Sequence, residues 1–156
     1  MKLFLSLGLT VLALLGILDA GYITYNEFSG QLPTCKPPFA CRTVLDSPWS
    51  KVGPIPLAAF GLLYYGTMFA LGIVSFMDVK VLSIGKKRIP VYLLVAGLGT
   101  LGLLFSMWLV FVMGVILKAW CLYCLLSAIN CSMMFILSVI LFRNGQKESH
   151  TLITQE

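Results

Sequence analysis

Residues 89–142 read IPVYLLVAGLGTLGLLFSMWLVFVMGVILKAWCLYCLLSAINCSMMFILSVILF, and Lys118 is the only charge among them. A bilayer hydrocarbon core about 30 Å thick is crossed by roughly 20 helical residues. The stretch therefore holds two crossings, 89–117 and 119–142, with Lys118 between them. The first of these is longer than a crossing needs and is expected to tilt or project beyond the hydrocarbon. Upstream, uncharged or nearly uncharged runs at 3–25 and 56–77 add two more. The whole chain is 59% hydrophobic and 11% charged, with a mean hydropathy of +0.95, whereas a soluble domain carries about 25% charged residues. So few charges cannot cover a water-facing surface. The predicted fold is an all-α membrane protein, a four-transmembrane-helix bundle filling residues 1–142. A short polar, disordered cytoplasmic tail is predicted at 143–156, and the long loop at 26–54 is predicted to be extracytoplasmic.

The net charge of +5 is not a nucleic-acid signature, because the basic residues sit in short clusters between apolar runs. Lys2, Lys80, Lys86, Lys87, Arg88, Arg143 and Lys147 fall at one set of span ends. Lys36, Arg42, Lys51 and Lys118 fall at the other. The excess marks the cytoplasmic side, which puts both termini inside and the 26–54 loop outside. Lys2 and the apolar run after it resemble a signal peptide. The run is long, however, and Leu18 stands where cleavage near Ala20 would want a small residue, so a retained helix is predicted. Asp19 within it has two readings: a carboxylate reaching the headgroups, or one facing the bundle interior.

The 26–54 loop is longer than a bundle requires, and such loops usually serve function. It holds Cys35 and Cys41 among Pro33, Pro37 and Pro38, and Phe39, Val44, Leu45 and Trp49 give it an apolar side to lay over the bundle mouth. Ser47-Pro48 reads as a helix start, with Ser as cap and Pro first in the helix. The motif Gly97-Leu98-Gly99-Thr100-Leu101-Gly102 fits G-x-G-x-x-G but has no strand before it, so it is read as close helix packing. Gly61, Gly66 and Gly72 are read the same way. Asn130 is read as a hydrogen bond between helices and Cys131 as a buried small hydrophobe. His150, in the tail, is given no role.

Cys121 and Cys124 stand three apart at the start of the fourth helix, on one face. Their Cα atoms would fall within the 4.4–6.8 Å or so that a disulfide spans. The unpaired amides of the helix start favour the thiolate, making Cys121 the better nucleophile. With Cys35 and Cys41 they make two pairs on the outer face, where disulfides persist. Three readings stay open: a structural staple, a zinc site of loose spacing, and a relay by thiol–disulfide exchange. A relay needs an electron acceptor, and a membrane-edge site with no nucleotide motif suits a lipid-soluble quinone. The rival is a non-enzymatic membrane subunit or transporter with a stapled external loop.

The chain resembles the vitamin K epoxide reductase family in its bacterial form. The resemblance rests on Cys35-x5-Cys41, on Ser47-Pro48-Trp49-Ser50-Lys51-Val52-Gly53-Pro54-Ile55-Pro56 running into Leu57-Ala58-Ala59-Phe60-Gly61-Leu62-Leu63-Tyr64-Tyr65, and on Trp120-Cys121-Leu122-Tyr123-Cys124. Order and spacing match over residues 1–142. The resemblance implies a quinone-dependent thiol–disulfide oxidoreductase, with ubiquinone, menaquinone or a relative as acceptor and no metal. It implies that Cys35 meets the partner thiol, Cys41 attacks the disulfide at Cys121, and Cys124 lies beside the quinone with Ser47 supporting the site. A bacterial inner membrane is the implied location. Many bacterial members carry a fused thioredoxin-like domain; with none here, the partner is expected to be a separate extracytoplasmic thioredoxin-fold dithiol protein. The animal enzymes have a tyrosine four residues after the second active-site cysteine. Ala128 stands at that place, so plain quinone reduction is expected rather than epoxide reduction.

Overall fold

A computed structural model describes residues 2–79, 81–84 and 87–153; Lys80 and Lys86, which entered the charge argument, lie outside it. Helix α1 (Lys2–Phe28) leads to a short α2 (Cys41–Leu45) and a 3-10 turn at Pro48–Ser50. A small antiparallel hairpin follows, β1 (Lys51–Val52) with β2 (Ile55–Pro56), then α3 (Leu57–Phe76). A second hairpin, β3 (Val81–Ile84) with β4 (Lys87–Pro90), leads to α4 (Val91–Phe111). A π-helical segment, Val112–Leu117, ends α4, and α5 runs Leu122–Ile153.

Among the described residues, four helices are long and apolar enough to cross a membrane: Leu3–Phe28, Leu57–Phe76, Val91–Leu117 and Leu122–Gln146. No more than 28% of any span is buried inside the molecule. Outward residues such as Phe4, Leu63, Leu101 and Met107 are exposed. An apolar surface of that extent is stable only against lipid, so the protein is an all-α, four-helix membrane protein.

Proline sets two of the helix starts. Pro56 and Pro90 sit at the caps of α3 and α4 in extended conformation, where a missing N–H costs nothing. The α4–α5 connection turns at Lys118, which is left-handed with φ 47°. The Ala119 amide donates back to the Met113 carbonyl at 3.1 Å. That reversal delays α5 to Leu122, three residues after the predicted start.

Packing pairs α1 with α3 and α4 with α5, and α1–α5 contacts join the pairs. The core between them includes Leu9, Ala13, Tyr65, Met68, Val95, Cys131 and Met134. Asn130 Nδ2 donates to the Leu12 carbonyl at 3.0 Å, the helix-to-helix bond expected of it. The glycines divide. Gly72 lies against Thr10, Gly99 against Ser138 and Gly102 against the Tyr64 hydroxyl, whereas Gly66 and Gly97 have open space beside them. Gly16, which the sequence did not single out, holds the tightest place: a Cβ there would fall 2.3 Å from the Tyr65 ring.

The predicted disordered tail is a correction. Helix α5 continues through Asn144 and on to Ile153. Gly145 does not break it, because there the helix lies against Tyr92 of α4 too closely for a side chain; a Cβ would meet that ring at 2.7 Å. Residues 154–156 lie outside the described ones.

Candidate functional site

Cysteines from the loop and from the fourth helix meet at one end of the bundle. Cys35 and Cys41 form a disulfide with Cα atoms 5.5 Å apart, while Cys121 and Cys124 are thiols. Cys41, Val44, Met113 and Cys121 are buried as one cluster, with Cys35, Phe39 and Cys124 packed on it. Two hydrogen bonds fasten the loop to the start of α5. The Ala40 amide donates to the Trp120 carbonyl at 2.9 Å. The Leu122 amide donates to Cys41 Sγ at 3.3 Å. Prolines before Cys41 and the short helix α2 after it hold the sulfur in that position, 80 residues from Cys121 in sequence.

Cys121 stands immediately before the first residue of α5. The Leu125 amide donates to the Cys121 carbonyl at 3.1 Å, so Cys121 stands at the cap of α5. Its thiol is held below the ordinary cysteine range, first by a hydrogen bond from Cys124 and then by the Cys124 and Tyr123 amides; burial and the Asp19 charge oppose them. A sulfur that accepts several hydrogen bonds is stabilised as the anion.

Beneath the cysteines lies a cavity of about 360 Å³, the size range of a small-molecule site. Its wall is mostly apolar, including Leu57, Phe60, Leu101, Phe105 and Val112. Val44 and Leu45 from the loop close its rim, which puts the loop's apolar side where it was expected. The π-helical segment swings Val112, Met113 and Leu117 into the same wall. Polar residues in the wall include Asp19, Glu27, Ser47, Tyr64, Ser127 and Cys124. Of the four paired cysteines only Cys124 lines the cavity.

Ser47 reaches the cavity wall but does not cap with its side chain. Its Oγ donates to the Val44 carbonyl at 2.7 Å, and it precedes a 3-10 turn with Pro48 at the first position. The expected cap position is therefore correct and the expected cap bond is absent. Asp19 belongs to the interior reading, because it shares the cavity with Cys124.

The sequence reading missed a second polar group at the cavity floor. The Tyr65 hydroxyl lies 2.7 Å from Ser127 Oγ and 3.2 Å from Cys131 Sγ. Tyr65 is 2% exposed, so these bonds replace water entirely. Ser127 stands three residues after Cys124, on the same face of α5; that spacing was the available signal. Cys131 is buried as expected but hydrogen-bonded. Among the described residues no group of three or more His, Cys, Asp or Glu side chains is placed to hold a metal ion.

A mostly apolar chamber with a few polar groups and two thiols, Cys124 and Cys131, in its wall suits a flat, lipid-soluble ring bearing carbonyls better than a charged or strongly hydrated ligand. The family model described as Vitamin K epoxide reductase family matches residues 7–139 of the chain.

Proposed function

Since the chain belongs to the vitamin K epoxide reductase family, it is an oxidoreductase of the thiol–disulfide type. We propose that it takes electrons from a separate extracytoplasmic thioredoxin-fold dithiol protein and passes them to a membrane quinone. The route runs through Cys35/Cys41 and then Cys121/Cys124. One observation carries the proposal: Cys124 is the sulfur common to the four-cysteine cluster and the cavity.

The first exchange occurs at Cys35. It is half-buried whereas Cys41 is buried, so an approaching thiolate meets Cys35. Cys41 leaves as the thiolate, and the Leu122 amide already pointed at it stabilises the charge. Cys41 then attacks Cys121 of the Cys121–Cys124 disulfide and frees Cys124. The partner's second thiol attacks the partner sulfur bonded to Cys35, forming the partner's disulfide and releasing Cys35 as a thiolate. Cys35 attacks Cys41 next, closing the loop disulfide again and releasing Cys121. Two electrons now rest on Cys121 and Cys124, with Cys35 joined to Cys41.

A bound quinone supplies an acceptor for two electrons and two protons. Cys124 lines the chamber and faces it; Cys121, as thiolate, accepts the hydrogen bond from Cys124. Cys121 would close on Cys124 as the pair's two electrons and the Cys124 proton pass to the quinone. Apolar walls exclude water from the transfer, and Ser47 and Tyr64 help define the chamber. Direction follows potential. A strongly oxidising partner near about −120 mV yields electrons only to a more positive acceptor, and about 30 mV corresponds to 1.4 kcal/mol for two electrons. Ala128, in place of a tyrosine, favours plain quinone reduction over epoxide reduction. The location we propose is a bacterial inner membrane with both termini cytoplasmic and the cysteines outside, as the basic clusters predict.

Purified protein in detergent, mixed with a reduced thioredoxin-fold dithiol protein and either ubiquinone or menaquinone, tests this. One quinone should be consumed per disulfide formed, and Cys124→Ala should abolish it. Dithiol oxidation without quinone loss, or quinone loss that survives Cys124→Ala, refutes it.

A further inference from the structure

Two carboxylates line the cavity, and both come from α1. Asp19 faces it deep in the span. Glu27 stands eight residues on, roughly 12 Å closer to the outer end of the helix. Buried Ile23 lies between them in the same wall. Glu27 Oε1 is buried without a hydrogen-bond partner, and the Lys51 charge bears on it. Among the described residues no hydrogen bond or ion pair engages Asp19. Yet it shares the cavity wall with Tyr123 and Cys124 of α5. An ionisable side chain inside a membrane span is expensive, and no structural partner accounts for this one.

The reaction lacks a proton donor that these groups supply. When Cys121 is a thiolate and Cys124 a thiol, the reduced pair carries two electrons but one proton. A quinone that becomes a quinol takes up two of each. The Cys124 proton provides one. The other was released to water when the partner's dithiol was oxidised, since Cys121 leaves the exchange as a thiolate, and something in the chamber must restore it.

We propose that Asp19 delivers that second proton and that Glu27, at the mouth of the cavity, returns one to Asp19 from extracytoplasmic water. The Asp19 O–H bond breaks as an O–H bond forms on the reduced acceptor, and the Asp19 carboxylate is reprotonated through Glu27. Over a cycle Asp19 and Glu27 are unchanged. The titratable groups that share the cavity with Asp19 are Glu27 on its own helix, Tyr123, Cys124 and Cys131 on α5, and Tyr64 and Tyr65 across the chamber on α3. The assignment rests on the quinone reading above and names the proton path for it.

Asp19→Asn keeps the shape and removes the proton; Asp19→Glu keeps the proton. Two readouts separate the steps. Without quinone, oxidised enzyme is mixed with an equal amount of reduced partner, and the burst of partner oxidation is measured. With quinone, turnover is followed across pH. General acid catalysis contributes typically 10²- to 10⁴-fold, so Asp19→Asn should retain the burst and lose about 100-fold in kcat with little change in KM. Asp19→Glu should recover part of the loss. Glu27→Gln should slow turnover less than Asp19→Asn. An Asp19→Asn enzyme with the wild-type kcat and pH profile overturns the proposal, as does one that loses burst and turnover together. A wild-type enzyme that reduces no quinone sinks the underlying reading instead; one that does, beside a fully active Asp19→Asn, sinks only the proton path.

Discussion

Gly16→Ala and Gly66→Ala make the same chemical change in neighbouring helices, and the structure gives them opposite signs. At Gly66 an added Cβ meets nothing within 4 Å. Alanine there gains only helix propensity, about 1 kcal/mol over glycine. At Gly16 the Cβ would stand 2.3, 2.4 and 2.6 Å from three atoms of the Tyr65 ring, where ordinary contact is 3.4–4 Å. The ring cannot swing aside, because its hydroxyl is held by Ser127 and Cys131 and the residue is 2% exposed. The helices must separate or the hydrogen bonds must break. Overpacking of this kind costs about 1–3 kcal/mol, and a wedge of an ångström against an anchored ring belongs at the upper end. Less the propensity gain of about 1 kcal/mol, Gly16→Ala should destabilise by about 2 kcal/mol. The two variants should then differ by about 3 kcal/mol. Reversible unfolding in detergent with denaturant reads the difference directly. Gly16→Ala should also weaken quinone binding, since Tyr65 lines the cavity. Equal stabilities, or a Gly16→Ala protein more stable than Gly66→Ala, would refute the packing of α1 on α3 described above.

Two further outcomes follow from the sulfur cluster. The double variant Cys35→Ala/Cys124→Ala removes both resolving thiols, so mild oxidation should join Cys41 to Cys121; peptide mapping without reductant checks it, and failure to form the bond would separate the loop sulfur from the fourth helix. The depressed Cys121 thiol ionises at lower pH than a free cysteine of pKa about 8.5, so its reaction with a small alkylating agent should already be substantial below that pH. Cys124→Ala removes the largest cause of the depression and should move the profile upward, as read by mass spectrometry in a Cys131→Ala background; an unmoved profile contradicts the hydrogen bond.

Much of the fold was legible because a bilayer demands it. Length and the absence of charge are local properties, and they located the four spans, missing only ends. The ends failed where the deciding contact was distant: the Lys118 reversal delays α5, and Tyr92 of α4 packs on α5 at Gly145, where a tail was expected. The site was half legible. Cysteine spacing and the helix start marked Cys121 and Cys124, and proline placement marked a stiff loop around Cys35 and Cys41. Tyr65, Ser127 and Asp19 were not legible as parts of one chamber, because nothing in a lone tyrosine, serine or aspartate says which helix it will face.

By itself the sequence determined that this chain lives in lipid, crosses it four times and carries two cysteine pairs, since hydropathy and spacing act along the chain. Only the tertiary structure decided that Cys41 meets the start of α5, that Cys124 alone of the paired sulfurs opens into the cavity, and that Asp19 shares it. Those facts depend on which faces of separate helices are pressed together, and that is fixed by side-chain volume, by the glycines that let helices approach, and by hydrogen bonds between residues far apart in sequence.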